Sequence, residues 1–162
     1  MGRRVYDAIF DSGTIATSGT CDIFSTKTPA LSGIQLHHVQ LSAGGVTTAA
    51  EVRLRLKRGT ATVVLASVGG SAITPVPVDA SDGACGTTAF GFGTSPATTS
   101  GAFTNVAFFQ WNVLLPFDYM PGPEDEDRET CLAGGAGFVL DCPAMPTPAV
   151  TASGLFKFRE VP

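Results

Sequence analysis

Apolar and polar positions alternate with a period of two along most of the chain, and no window carries a helical stripe. Successive side chains of a strand point to opposite faces, so this pattern predicts strands with one buried side. Tyr6, Ala8 and Phe10 share one face of a first strand, and Val5, Asp7 and Ile9 the other. Residues 21–24 follow as a second strand, and residues 34–42 as a third, closed by Ala43-Gly44-Gly45. The clearest pattern is EVRLRLKRG, where Val52, Leu54 and Leu56 face one way and Arg53, Arg55 and Lys57 the other: a core face and a basic ladder. Residues 60–68 read as another β-branched strand, ended by Gly69-Gly70.

Pro75 and Pro77 push the residues before them out of the helical region, so residues 71–78 are extended. Proline cannot donate to a ladder, which puts this segment on a sheet edge or makes it a bridge between sheets. Residues 79–101, rich in Gly, Ser, Thr and Ala, form a long excursion with a short strand around Phe90-Gly91-Phe92. Residues 103–115 carry Phe109, Trp111, Val113 and Leu115 on one face and Phe108, Gln110, Asn112 and Leu114 on the other. Two apolar-rich faces predict burial on both sides or contact with another copy. Trp111 is expected in the core, and Tyr119 nearer a contact. Three prolines between Pro116 and Pro123 stiffen the next loop, and strands around Phe138 and over residues 150–160 close the chain, the last with Phe156 and Phe158 inward, Lys157 and Arg159 outward and Gly154 at a bulge. About eight strands without linker or repeat predict one all-β domain over residues 1–162. The expected form is an antiparallel β-sandwich, an eight-stranded jelly roll, with an immunoglobulin-like or other Greek-key sandwich as the alternative.

Composition narrows the function. Charged residues are 15% of the chain against about 25% in average proteins, and the net charge is −4, so the basic field that nucleic acid requires is missing. No apolar stretch approaches the ~18 residues of a membrane span, and MGRRVYDAIF lacks the apolar core of a signal peptide. The expectation is a chain made without export, with neither nucleic acid nor membrane as partner.

Catalytic and metal-binding patterns are missing as well. His37 and His38 are adjacent in a strand and so are expected on opposite faces, which prevents joint chelation of a metal. Neither has a partnered nucleophile, a Gly-x-Ser-x-Gly elbow or a His-Glu-x-x-His motif, so no catalytic residue, cofactor or metal site is assigned. Cys21, Cys85, Cys131 and Cys142 contain no Cys-x-x-Cys. A hairpin turning at Ala133–Gly137 would set Cys131 opposite Cys142, where a disulfide competes with buried free thiols.

Charge concentrates in two clusters, Arg53, Arg55, Lys57 and Arg58, and Glu124, Asp125, Glu126, Asp127 and Glu129. They read either as two solvated faces or as complementary patches that meet between copies. The acidic run offers oxygen ligands for calcium but lacks EF-hand spacing.

The segments RLRLKRG, SAITPVPVD, FDYMPGPEDEDR and VTASGLFKFREV, spanning roughly Leu36 to the C-terminus, resemble a group of small virion-associated proteins of tailed bacteriophages and prophages. The most specific part is Tyr119, Pro121, Pro123, Glu124, Asp125 and Arg128, from which this chain departs by inserting Glu126-Asp127 before the arginine. The resemblance implies a jelly roll in a capsid decoration or head-fibre role. Such a protein binds the major capsid protein on the outer head surface, assembles in the host cytoplasm and forms a homotrimer. Candidate subunit or capsid contacts are then Arg53, Arg55, Lys57, Phe108, Phe117, Tyr119, Glu124, Asp125 and Arg128. A carbohydrate-binding fibre or tail module, and a low-copy head or tail completion protein, are the competing classes.

Overall fold

The computed structural model describes residues 4–15, 21–46, 48–65, 69–123, 130–131, 134–144 and 149–162. Among these residues there are fourteen β-strands and no α-helix: β1 (Val5–Ile15), β2 (Cys21–Lys27), β3 (Gly33–Gly44), β4 (Glu51–Gly59), β5 (Val63–Val64), β6 (Ser71–Ile73), β7 (Val76–Pro77), β8 (Thr88–Gly93), β9 (Thr98–Thr99), β10 (Phe103–Asn112), β11 (Phe117–Tyr119), β12 (Thr130–Cys131), β13 (Phe138–Ala144) and β14 (Val150–Val161). One sheet has the order β11-β3-β14-β1-β7, with β12 also on β3, and the other the order β10-β4-β13-β2-β8-β6. Strands β5 and β9 form a separate pair.

Eight strands behave as one long hairpin rolled on itself. The outermost pair is β1 with β14, then β2 with β13, β3 with β11, and β4 with β10, all antiparallel. Cross-links from β14 to β3 and from β13 to β4 join these ribbons into two sheets. This is the connectivity of a jelly-roll sandwich, as the alternation predicts.

The core forms because each long strand presents its apolar set inward. Tyr6, Ala8 and Phe10 of β1, Val52, Leu54 and Leu56 of β4, and Phe156 and Phe158 of β14 are all buried. Phe24 of one sheet stacks on Phe156 of the other with ring centroids 4.1 Å apart, and Phe10 continues the stack at 5.6 Å from Phe24. Trp111 is buried, and its indole N–H donates to the Leu115 carbonyl at 2.8 Å, so the polar edge of the ring is satisfied.

The excursion over residues 60–102 is inserted between β4 and β10, and it covers part of the outer face of the β10-β4-β13-β2 sheet, around Val139 of β13. Val63 and Ala97 bury Val139 of β13 in a second small cluster. Of the expected strand over residues 60–68, residues 66–68 lie outside the described residues, and over 60–65 the strand is Val63–Val64 alone, because the chain leaves the sheet at Gly59 and Val63 packs over Val139 rather than beside it. Residues 71–78 do both things expected of them: β6 lies on the edge of one sheet and β7 on the edge of the other.

The expected hairpin between Cys131 and Cys142 is not formed. β12 pairs with β3 in one sheet and β13 with β2 and β4 in the other, so the intervening chain crosses between sheets. Cys131 therefore lies opposite Ile34, while Cys142 lies opposite Cys21, and no disulfide joins any of the four cysteines. The crossing is tight: a Cβ on Gly137 would sit 1.8 Å from the Thr26 carbonyl oxygen, so only glycine fits there.

Candidate functional site

The basic ladder on β4 is only partly a surface. Asp141 of β13 accepts two bonds from the Arg55 guanidinium, at 3.0 and 2.6 Å, and the Lys57 ammonium lies 2.6 Å from its Oδ2. Lys57 and Asp141 are both buried, beside the cluster in which Val63 and Ala97 of the 60–102 excursion pack on Val139, the residue opposite Lys57. The Lys57 ammonium also sits 4.9 Å from the centroid of the Phe103 ring. The reading of Lys57 as a solvated or intersubunit contact is thus corrected: its charge is matched inside its own chain. Arg55 is half-buried in the same pairing, while Arg53, nearer the open end of β4, remains exposed. The inward-turned Arg58 donates to the Thr130 carbonyl at 3.1 Å.

Beside this pair lies Asp22, which is buried and accepts the amide of Ala97 with Oδ2. Its Oδ1 is buried without a hydrogen-bond partner. Burial pushes its carboxyl up to about 6, against the Ala97 hydrogen bond and the Lys57 and Arg55 charges, while Asp141 adds to the rise. Neither aspartate was found from the sequence. The available signal was an acid within each of the strand runs CDIF and FVLDC, where Asp is disfavoured.

The second concentration of candidates is at the open side where β10 and β11 form the edges of the two sheets. Phe109 packs edge-on against Phe117 at 5.2 Å and lies 4.7 Å from Tyr119, so Phe117 and Tyr119 are half-buried closures of the sandwich. Phe108 points the other way and is 67% exposed, and Leu115 and Met120 nearby are 61% and 68% exposed. Of the two fates expected for a strand with two apolar-rich faces, burial on both sides does not occur within this chain.

The outer face of the β11-β3-β14-β1 sheet carries a third group. A β-bulge between Lys157 and Phe158 inserts His37 as an extra residue, so both histidines lie outside the core, rather than alternating across the strand as expected. His38 Nε2 lies 2.7 Å from Asp118 Oδ1, and Gln40 donates to Oδ2 at 3.3 Å. These bonds hold the Asp118 carboxyl below its ordinary value, His38 contributing most. Gln40, Asp118, Ser42, Ser153, Ile9 and Leu155 help line an open groove of about 500 Å³ on this face. Among the described residues, no group of three or more His, Cys, Asp or Glu side chains is placed to hold a metal ion. Glu124, Asp125 and Arg128, with the rest of the acidic run, lie outside the described residues.

No protein-family model matches the chain, and no curated protein matches it. Among solved structures, one titled "Structure of infectious bursal disease virus Gx strain" aligns over all of this chain and 43% of that chain, at 17% identity and a TM-score of 0.22. The chain thus spans less than half the length of that neighbour, and a likeness of this degree carries no argument about fold or function.

Proposed function

We propose that this chain is a structural virion protein of a tailed bacteriophage, a capsid decoration protein that binds the major capsid protein on the outer head surface. The observation that carries this reading is the apolar rim at the β10–β11 edge, where Phe108, Leu115 and Met120 stand exposed on a sandwich whose own core is complete. Large exposed apolar side chains on a rigid body suit docking to another protein surface. The resemblance of the RLRLKRG, SAITPVPVD and FDYMPGPEDEDR segments to phage virion proteins supplies the class of partner. Arg53, Phe108 and the rim side of Phe117 and Tyr119 are the contacts assigned to it among the described residues.

The test is to mix the purified protein with heads assembled without it and sediment the particles. Saturable co-sedimentation at a fixed ratio to the major capsid protein is expected; no binding to heads overturns the role. A second reading, glycan binding, is favoured by one feature, the open groove that combines Gln40, Asp118, Ser42 and Ser153 with apolar Ile9 and Leu155. It predicts sugar affinity in the free protein on a glycan array, where a decoration protein shows none.

A further inference from the structure

Among the described residues, the two large sheets have four edges, and three of them are blunted. β6 has three residues, and β7 has two, one of them Pro77, with Pro75 just before it. β11 has three residues and follows Pro116. Short length and proline are the usual protections of an exposed edge. β10 has neither: it is ten residues long, FTNVAFFQWN, with no charge and no proline, and its one sheet partner among the described residues is β4.

The direction of its backbone groups follows from the ladder. The Val113 amide donates to the Ala50 carbonyl at 3.1 Å, and the register continues through Trp111 opposite Val52 and Phe109 opposite Leu54. Bonding pairs recur every second residue in an antiparallel ladder, so Trp111 and Phe109 bond towards β4. Phe108 and Gln110, between them, aim both their N–H and C=O groups at the open edge. At one end this stretch is limited by the register shift between Asn105 and Ala107, and at the other by the Asn112 carbonyl, which accepts the Leu115 amide at 2.9 Å.

We propose that β10 pairs with β10 of a second copy of this chain, antiparallel about a two-fold axis at Phe109, to make one continuous sheet across a dimer. In that register Phe108 of each copy faces Gln110 of the other, so all four outward groups of each strand bond without meeting the irregular end. The occupant is a second copy for three reasons. An edge of this kind is self-complementary under a two-fold operation. The uncharged strand brings no like charges together, although the whole chain carries −4. The other edges are blunted, so addition stops at two instead of continuing to a fibre. Phe108, exposed in the single chain, is covered by the partner strand. This pairing takes Phe108 for the second copy, so in the dimer the proposed head contact falls to Arg53, Leu115 and Met120, and it differs from the trimer that the phage resemblance implies.

The experiment is sedimentation velocity and light scattering over a dilution series, on the wild-type protein and on Phe108→Lys and Gln110→Pro. Phe108→Lys changes an exposed side chain, and circular dichroism checks that both variants fold; it alone decides the test if Gln110→Pro does not. A wild-type mass of twice 16.7 kDa that falls to the single-chain mass in the folded variant is expected. A wild-type monomer, a trimer, or a dimer that survives Phe108→Lys overturns the proposal.

Discussion

Asp141 shows how strongly one side chain depends on a distant part of the chain. Its carboxylate holds Arg55 and Lys57 together in a place made dry by residues 60–102. Removing one partner of a buried ion pair strands the other charge, at a cost of about 3–5 kcal/mol. Asp141→Ala is therefore expected to destabilise the fold by that order in urea denaturation, and Arg55→Ala, at a half-buried position, by less. Asp22 gives a pH dependence of defined sign. Its carboxyl is raised to about 6 from 3.8, so the folded chain holds the proton more tightly than the unfolded chain. The stabilisation linked to it is complete below pH 3.8 and is lost as pH rises through about 6. A rise of that size corresponds to roughly 3 kcal/mol. Denaturation at pH 4 and pH 7 is expected to show this loss in the wild type and to lack it in Asp22→Asn. At this scale the sequence revealed the inward residues of β1, β4 and β14, because alternation depends only on neighbouring positions. It did not reveal the burial of Lys57, because the cover arrives from outside the strand that carries it.

Among the elements, legibility follows the same division. β4 and β10 were readable as strands, with Val52, Leu54 and Leu56 and Trp111 on the inner side as expected, but Lys57 is buried and Leu115, expected on the face of Trp111, lies beyond β10 and is exposed. The shortness of the strand over residues 60–65 and the sheet crossing at Gly134–Gly137 were not, since both are decided by packing between segments far apart in sequence. Residues 79–88 are the clearest case. They show no periodic pattern, yet the Glu160 carboxylate of β14 accepts the amides of Gly86 and Thr87, both at 2.9 Å, and the Thr87 hydroxyl at 3.0 Å. The Tyr6 hydroxyl adds a bond to the Gly83 carbonyl at 3.0 Å. A loop held by side chains of distant strands leaves no local signature. Glu160→Ala is expected to abolish hydrogen-exchange protection at Gly86 and Thr87 while leaving the β3–β14 ladder protected. Equal loss across the ladder would show that the carboxylate supports the strand rather than the loop.

As a whole, the molecule is a rolled hairpin with its aromatic core closed inside two sheets and an extra layer over one of them. That layer explains why a chain with so few charged residues keeps two of its four β4 cations paired inside the fold with Asp141. Among the described residues, the surfaces offered to other molecules include the β10–β11 rim, with Phe108, Leu115 and Met120, and the open groove beside His38 and Asp118. The candidate site was legible to the extent that Phe108, Phe117 and Tyr119 fall at one edge. That Arg55 and Lys57, though they lie opposite Phe108 and Asn105 of β10, are held by Asp141 came from the three-dimensional arrangement. The central claim, that this sandwich coats a capsid, is tested most directly by quantitative mass spectrometry of purified virions carrying the gene for this chain. A copy number that scales with the major capsid protein is predicted. Absence from the particle, or presence in only a few copies, would contradict the account.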